Sequence, residues 1–169
     1  MTTLDLKILF HRLLQHRDTT ADSASLGPWL KAQLKQSVFL DLDDVPFAKA
    51  SYTRNFVARE REQDCGFAGD RCFEALIMRW DKQAETCIHG HPAFSFYYTI
   101  SGVFEIDMFS RIAENRVELQ QTQRFLSSDT TWFSGQSGRY DNWIHRVRCL
   151  EPGLTFHIYS DDAKKGIVL

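Results

Sequence analysis

The pattern of hydrophobic and polar positions divides the chain near residue 50. In the early stretch "LDLKILFHRLL", apolar residues recur at the spacing of one helix face. They are Leu6, Leu9, Phe10, Leu13 and Leu14. The stretch "SLGPWLKAQLKQ" restarts this pattern, with Pro28 where the first turn of a helix accepts proline. We therefore predict a helical N-terminal region over residues 1–45.

From residue 50 onward, short runs rich in β-branched and aromatic residues alternate with turn residues. This texture is typical of an antiparallel sandwich or barrel. The runs include "SYTRNFVA", "CFEALIMRW", "FSFYYTISG", "VFEIDMFS", "NWIHRVRCL" and "LTFHIYS". We expect strands to end at Gly102, within "GQSGRYDN" and within "EPG". Because no repeat or linker divides the chain, the prediction is one domain over residues 1–169, with a β-barrel over residues 50–169.

Composition and charge narrow the class of protein. Of the 169 residues, 43% are hydrophobic and 25% are charged, which is typical of a globular domain rather than a disordered chain. The net charge of −2 argues against nucleic acid as a partner, and no apolar run approaches the roughly 18 residues of a membrane span. The N-terminus lacks the apolar core of a signal peptide, so we expect a cytoplasmic protein whose four cysteines are thiols.

Two histidines one residue apart are the first candidate chemistry. His89 and His91 lie in a predicted strand, where residues two apart point to the same face, so both imidazoles could reach one metal ion. His145 lies in another predicted strand and could add a third ligand. The pair taken alone is equally compatible with two histidines on an ordinary strand, because short motifs also arise by chance.

Four segments, in order over residues 52–160, resemble the cysteine dioxygenase family of thiol dioxygenases, within the cupin superfamily. "YTRN" at residues 52–55 resembles the family's substrate-binding segment, and Trp80 matches a tryptophan ahead of the HxH pair. "HRV" at residues 145–147 resembles the segment with the third iron ligand. "HIYS" at residues 157–160 resembles the segment with the active-site histidine and tyrosine.

The resemblance implies a cupin jelly-roll β-barrel with N-terminal helices that holds a non-haem Fe(II) ion. The implied metal ligands are His89, His91 and His145. Histidine ligands by themselves would equally admit zinc, nickel or copper, so iron comes from the resemblance alone. Many cupins add a glutamate soon after the HxH pair, but this chain has Ser95 and Phe96 there. Three neutral imidazoles leave the ion its full charge, which favours an anionic ligand such as a thiolate.

The resemblance also assigns roles around the metal. Arg54, helped by Tyr52, would pair with the substrate carboxylate, because a guanidinium fork fits a carboxylate. Tyr159 would direct its hydroxyl at the substrate thiolate, and His157 would orient Tyr159. Thr155 stands two residues earlier on the same strand face and would hold His157, as a family serine does.

Three positions depart from the family or are not explained by it. Ser95 stands where many animal members have the cysteine that crosslinks to the active-site tyrosine, so we expect Tyr159 without a crosslink. Gly90 replaces a usual aspartate and is expected to point away from the metal. Cys87 precedes His89 by two and is expected to be a small buried residue, with a reactive thiol beside the metal as the alternative.

Four aromatic residues that follow the HxH pair are expected in the core of the barrel. They are Phe94, Phe96, Tyr97 and Tyr98. If they lined the pocket instead, they could reshape it for a thiol other than cysteine.

The first functional hypothesis is an iron-dependent thiol dioxygenase that adds both atoms of O2 to L-cysteine and releases cysteine sulfinic acid. Its partners would be a small-molecule thiol and O2, with no nucleic acid and no membrane. The sequence leaves the oligomeric state open and is compatible with a monomer. A second hypothesis is a three-histidine cupin oxygenase that acts on another thiol or small molecule. A third is a non-catalytic cupin that binds a small ligand.

Overall fold

Two α-helices lie among the described residues of the N-terminal part, where helices were predicted. The computed structural model describes residues 3–20, 23–34, 42–60 and 72–169. Helix α1 spans Thr3–Thr19 and helix α2 spans Leu26–Gln33, and no helix among the described residues is long and apolar enough to cross a membrane. Four of the predicted apolar positions of α1 are buried in the core. They are Leu6, Leu9, Phe10 and Leu13.

Seven antiparallel strands follow the helices in the described residues, so the described fold is all-β with N-terminal helices, as predicted. They are β1 (Tyr52–Arg59), β2 (Glu74–Trp80), β3 (His89–His91), β4 (Phe94–Ala113), β5 (Arg116–Phe125), β6 (Thr130–Ser134) and β7 (Asn142–Tyr159). The hydrogen-bonded order is β1-β2-β7-β4-β5, with β3 on β7 and β6 on β4. Strand β7 therefore pairs with β2, β3 and β4 and brings residues from distant parts of the sequence together.

The strand ends expected at Gly102 and in "EPG" are wrong, because β4 and β7 continue through both places. Register shifts between Thr99 and Phe104 bend β4 without ending it. Gly102 takes a positive φ of 89° within this bend, a conformation that glycine adopts without strain. A Cβ at Gly102 would lie 2.7 Å from the carbonyl oxygen of Glu151. The glycine thus allows a close approach of β4 and β7 rather than a turn.

Alternation along β4 and β7 separates a structural face from a functional face. Phe96 on β4 and Phe156 on β7 pack in one cluster with helix residues such as Leu30. The residues that follow them point the other way, and Tyr97 pairs with His157 in the register of the two strands. The face away from the helices therefore carries the polar residues predicted for the site, as strand alternation requires.

The last seven residues, 163–169, cross the functional face, and we call them the C-terminal strap. The backbone N–H of Gly90 donates to the carbonyl of Ile167 at 2.9 Å, and the N–H of Ile167 donates to the carbonyl of Tyr140 at 3.0 Å. Backbone hydrogen bonds therefore fasten the strap to the middle of the HxH pair and to the turn before β7.

The cysteines differ from the expectation that all four are thiols. Cys149 is buried and free, as expected. Cys72 is disulfide-bonded, so the prediction of a free thiol is wrong at this position. Cys87 is a free thiol but is exposed, which corrects its expected burial, and Cys65 lies outside the described residues.

Candidate metal centre

Three histidines from two strands meet on the functional face. His89 on β3 pairs with His145 on β7, and a register shift separates this pair from His91, which pairs with Asn142. The ring centroid of His91 lies 4.7 Å from those of His89 and His145, which are 4.8 Å from each other. One ligand atom from each histidine lies within 4.8 Å of the other two. The three predicted ligands therefore form one group that could hold a metal ion.

Backbone carbonyls fix the rings of two of these histidines. The Nδ1 of His89 lies 2.9 Å from the carbonyl oxygen of Cys87, and the Nδ1 of His145 lies 2.9 Å from that of Trp143. A carbonyl only accepts, so each Nδ1 carries the hydrogen and donates it. Each Nε2 is then left with a free lone pair, which is the form in which histidine binds a metal.

The third histidine has buried nitrogens that the protein leaves without a hydrogen-bond partner. His91 is 2% exposed, and neither Nδ1 nor Nε2 has a partner among the described residues. Burying a polar group without a partner is costly, and a metal ion would remove that cost for the nitrogen that binds it. The donor set therefore fits a first-row metal ion held by three imidazoles.

Burial keeps these imidazoles neutral. It lowers the pKa of His89, and it lowers the pKa values of His91 and His145 well below the ordinary range of histidine. Repulsion between neighbouring rings adds to the effect at His91 and His145. No carboxylate joins the histidine cluster among the described residues, so an ion bound here would keep its full charge.

A cavity of about 140 Å³ opens above the three histidines. One wall carries Tyr52 and Arg54 from β1, and the apolar part of the lining includes Met78 and Val147. The C-terminal strap contributes Gly166 and Val168, among others, to the lining. The cavity suits a molecule of a few heavy atoms, since drug-sized ligands occupy roughly 300–1,000 Å³.

Arg54 offers uncommitted hydrogen-bond donors to this cavity. Its side chain is 28% exposed, and its one ion pair among the described residues is with Glu74, at 3.7 Å. Its guanidinium donates no hydrogen bond to any described residue, because 3.7 Å exceeds hydrogen-bond length. Tyr52 lies on the same face of β1, with its ring 4.5 Å from that of Trp80. Burial raises the pKa of Tyr52, which keeps its hydroxyl protonated.

A buried hydrogen-bonded chain runs along the other side of the cavity. The indole Nε1 of Trp80 donates to the hydroxyl of Thr155 at 2.7 Å. The hydroxyl of Thr155 lies 2.7 Å from Nε2 of His157, and Nδ1 of His157 lies 2.9 Å from the hydroxyl of Tyr159. All four side chains are at most 6% exposed, so the structure brings together Thr155, His157 and Tyr159, which the sequence analysis named, and adds Trp80 to them.

Tyr159 connects this chain to the histidine cluster. Its ring stacks on His91, with centroids 5.0 Å apart and planes 4° from parallel. Burial raises the pKa of Tyr159 far above that of an ordinary tyrosine, so the hydroxyl is neutral. Burial also lowers the pKa of His157 to about 3, with repulsion from Arg54 adding to the effect. The chain is therefore made of neutral groups at physiological pH.

Ser95 lies directly across from Tyr159 in the pairing of β4 with β7. A serine cannot form the thioether expected of a cysteine at this place, and the hydroxyl of Ser95 has no hydrogen-bond partner in the described part of the chain. The four aromatic residues of the neighbouring run are buried and do not line the cavity. This agrees with their predicted place in the core, although the ring of Tyr97 meets His157 edge-on at 4.9 Å.

Two parts of the site were not found from the sequence. Glu74 is a fully buried carboxylate beside Arg54, and the C-terminal strap forms part of the cavity wall. An acidic residue inside the apolar run "CFEALIMRW" was the signal that could have identified Glu74. Cys87, which the sequence left between core and site, lines the cavity.

The comparisons with known proteins bear on the fold. No protein-family model matches the chain, and no curated protein matches it. A cupin superfamily protein from Desulfitobacterium hafniense superposes with a TM-score of 0.50 at 10% identity, over 70% of this chain and 84% of that one. This likeness shows that the chain has the cupin fold, as predicted. At such low sequence identity it says nothing about the activity of this chain.

Two further solved structures are similar to this chain over most of their own lengths. A double-stranded β-helix protein from Klebsiella pneumoniae has a TM-score of 0.47 at 14% identity, covering 76% of this chain and 94% of that chain. KdgF from Halomonas sp. has a TM-score of 0.46 at 17% identity, covering 72% of this chain and 93% of that chain.

Proposed function

We propose that this protein is an Fe(II)-dependent thiol dioxygenase, related to the cysteine dioxygenase family, that oxidises L-cysteine to cysteine sulfinic acid. The observation that carries the proposal is the pairing of two features in one small cavity. One is a three-histidine cluster without a carboxylate. The other is Arg54, whose guanidinium has no hydrogen bond to another described residue. Together they suit a ligand with a thiolate at one end and a carboxylate at the other.

The metal ligands would be His89, His91 and His145. Fe(II) bound there would lower the pKa of the substrate thiol and supply the redox chemistry that O2 requires. The buried nitrogens of His91 and the oriented rings of the other two histidines support a resident ion. The histidines alone would also accept other first-row metals, so Fe(II) belongs to the proposal.

Arg54 would bind and orient the substrate carboxylate. A guanidinium presents two parallel N–H groups to a carboxylate, which fixes the direction of the ligand as well as holding it. Tyr52, beside Arg54 on β1, adds a protonated hydroxyl as a second donor. With the carboxylate held at this wall, a thiol of the size of cysteine extends towards the histidines.

Tyr159 would hold a proton next to the reacting sulfur. Its neutral hydroxyl belongs to a chain that Trp80 anchors and its ring lies on His91. A hydroxyl in this place can donate to a developing negative charge on the substrate without reorganisation. The overall reaction balances without a further reductant, because both atoms of O2 end on the sulfur of the thiol.

The size of the cavity favours small thiols. About 140 Å³ suits an amino acid, and the C-terminal strap forms part of the cavity wall. We therefore expect 3-mercaptopropionate to compete with L-cysteine and glutathione to be excluded.

Oxygen consumption by the Fe(II)-loaded full chain tests this function against a panel of thiols. The panel contains L-cysteine, 3-mercaptopropionate, cysteamine and glutathione, and the products are identified by mass. Sulfinate from L-cysteine supports the proposal. Turnover of a different thiol or molecule would favour the three-histidine oxygenase of other specificity. A chain that takes up no first-row metal would favour a non-catalytic cupin.

A further inference from the structure

Glu74 is a fully buried carboxylate that joins three separate parts of the chain. It is the first residue of β2 and is 0% exposed. Its Oε2 accepts a hydrogen bond from Arg59 at 2.5 Å. Its Oε1 accepts from the backbone N–H of Ala163 at 3.1 Å and lies 3.7 Å from the guanidinium of Arg54. A buried carboxylate requires partners of this kind, because an unpaired charge in the interior is very unfavourable.

The two oxygens of Glu74 serve different purposes. Arg59, the partner of Oε2, does not line the cavity and is 46% exposed. Both neighbours of Oε1 do line it: Arg54 belongs to the β1 wall, and Ala163 is the first residue of the C-terminal strap. Glu74 itself is not part of the lining. It can therefore act on a ligand only through the groups that it holds.

The long separation between Glu74 and Arg54 matters for ligand binding. At 3.7 Å the carboxylate attracts the guanidinium but accepts no hydrogen bond from it. The charge of Glu74 thus holds Arg54 at the cavity wall while its N–H donors stay available. A hydrogen-bonded pair would instead use the donors that a ligand carboxylate needs.

We propose that Glu74 is a positioning residue that sets two walls of the cavity at once, by holding the guanidinium of Arg54 and by fastening the start of the C-terminal strap. For Arg54 this rests on the proposed function, because Arg54 is the site that would receive the substrate carboxylate. For the strap it rests only on the hydrogen bond from Ala163. The two halves can therefore be tested separately.

Glu74→Gln and Arg59→Gln form a matched pair for the first half. Each loses the ion pair between Glu74 and Arg59, but Arg59→Gln keeps the carboxylate that holds Arg54. Anaerobic binding to the Fe(II)-loaded full chain is measured with L-cysteine and with cysteamine, which lacks the carboxylate. We expect Glu74→Gln to weaken L-cysteine binding about tenfold, the size expected when one charge-assisted contact is lost. Cysteamine should lose much less affinity than L-cysteine in Glu74→Gln, because it has no carboxylate for Arg54 to bind, and neither thiol should bind Arg59→Gln more weakly.

Equal losses in the two variants, or an equal loss for the two thiols in Glu74→Gln, would overturn the positioning of Arg54. Equal losses in the two variants would mean that the buried ion pair only stabilises the fold, and an equal loss for the two thiols would mean that Glu74 affects the cavity without acting through Arg54. If the unaltered protein binds neither thiol, the proposed function fails, and the strap measurement below still tests Glu74.

Hydrogen exchange of the strap amides tests the second half. Glutamine has a single acceptor oxygen to serve both Arg59 and the N–H of Ala163, so in Glu74→Gln the amides of residues 164–169 should exchange faster, and in Arg59→Gln they should not. Ala163→Pro is a second variant in case Glu74→Gln does not fold, because it removes only the N–H that Glu74 accepts. Proline is accepted at the first position of a helical turn, and Asp162, at φ −57° and ψ 111°, has the extended backbone that precedes proline. Unchanged strap exchange in Ala163→Pro would overturn the fastening role.

Discussion

The indole N–H of Trp80 donates to the hydroxyl of Thr155 at 2.7 Å, and this contact gives the buried chain a direction. An indole nitrogen cannot accept a hydrogen bond, so the proton of Thr155 has one acceptor among its described partners, Nε2 of His157. The proton of His157 then lies on Nδ1 and is donated to the oxygen of Tyr159. The proton of Tyr159 is left free to point into the cavity, where a substrate can accept it.

Nitrogen NMR of His157 tests this direction. In the full chain loaded with diamagnetic Zn(II), His157 should show a protonated Nδ1 and an unprotonated Nε2. Thr155→Ser keeps the donor and should keep this single tautomer. Thr155→Val removes the donor and should allow both tautomers. A proton on Nε2 of His157 in the unaltered protein would contradict the direction of the chain.

Gly90 should not tolerate a side chain. A Cβ there would lie 2.6 Å from the carbonyl oxygen of Tyr140 and 2.7 Å from Cα of Asp141. We expect Gly90→Ala to lower the free energy of unfolding by about 1–3 kcal/mol, the usual cost of overpacking, and to weaken metal binding by shifting the neighbouring histidines. Urea denaturation and metal titration measure the two effects.

The control for Gly90 is Gly138, where a Cβ would meet no atom within 4 Å and φ is +75°. Gly138→Asn should change neither stability nor metal affinity greatly, because asparagine tolerates this backbone conformation. If Gly90→Ala and Gly138→Asn changed the free energy of unfolding and the metal affinity equally, the close contact at Gly90 would be unimportant.

Arg54 should discriminate thiols by their carboxylate. Arg54→Gln should lower kcat/KM for L-cysteine roughly 10- to 100-fold, as expected for the loss of hydrogen bonds to a charged group. The kcat/KM of Arg54→Lys for L-cysteine should lie between those of the unaltered protein and Arg54→Gln, because lysine keeps the positive charge but lacks the planar guanidinium. Steady-state kinetics with cysteamine should show no such difference, and metal content should be unchanged. A proportional loss for both thiols would argue against carboxylate recognition by Arg54.

Asp141 should make stability depend on pH in the acid range. Hydrogen bonds from Arg139, together with Arg111, lower its pKa to about 2, below the usual value of about 3.9. A carboxyl group whose pKa is lower in the folded than in the unfolded protein stabilises the fold at pH values above its pKa in the unfolded chain. This stabilisation is lost as the pH falls to the pKa of the group in the folded protein. As the pH falls from about 4 to about 2, Asp141→Asn should therefore lose less stability than the unaltered protein.

Thermal unfolding across this pH range measures the effect. Glu118 on β5 is an exposed acid. Glu118→Gln is therefore a control that removes one negative charge but leaves the contacts of Asp141 with Arg139 and Arg111 in place. Its pH profile should follow that of the unaltered protein. A profile of Asp141→Asn that matches the control would mean that the contacts of Asp141 contribute nothing measurable.

The sequence predicted those parts of the site that depend on local periodicity. Strand alternation places His89 and His91 on one face and likewise Thr155, His157 and Tyr159. Helix periodicity identified the buried face of α1. These predictions needed only neighbours in the sequence. His145 could be named only as a possible third ligand from a second strand, an assignment that the resemblance strengthened, and its pairing with His89 was not predicted, because strand pairing over such a distance is not visible in one chain.

The remaining features depend on contacts between distant parts of the chain. Glu74 and Ala163 are 89 residues apart and meet only because β2 pairs with β7 and the chain then turns back. Gly102 was interpreted as a strand end, although register shifts let β4 continue through it. Gly90 was expected to point away from the metal, but the sequence could not show that the backbone of the turn before β7 fills the space beside it.

The central claim is tested most directly by the product that the Fe(II)-loaded full chain makes from L-cysteine under 18O2. The structure and the proposed function predict cysteine sulfinic acid that carries two labelled oxygen atoms, and no product from His91→Ala, which lacks one of the three metal ligands. An iron-loaded protein that yields no sulfinate from L-cysteine, and does not bind it without oxygen, would contradict the claim.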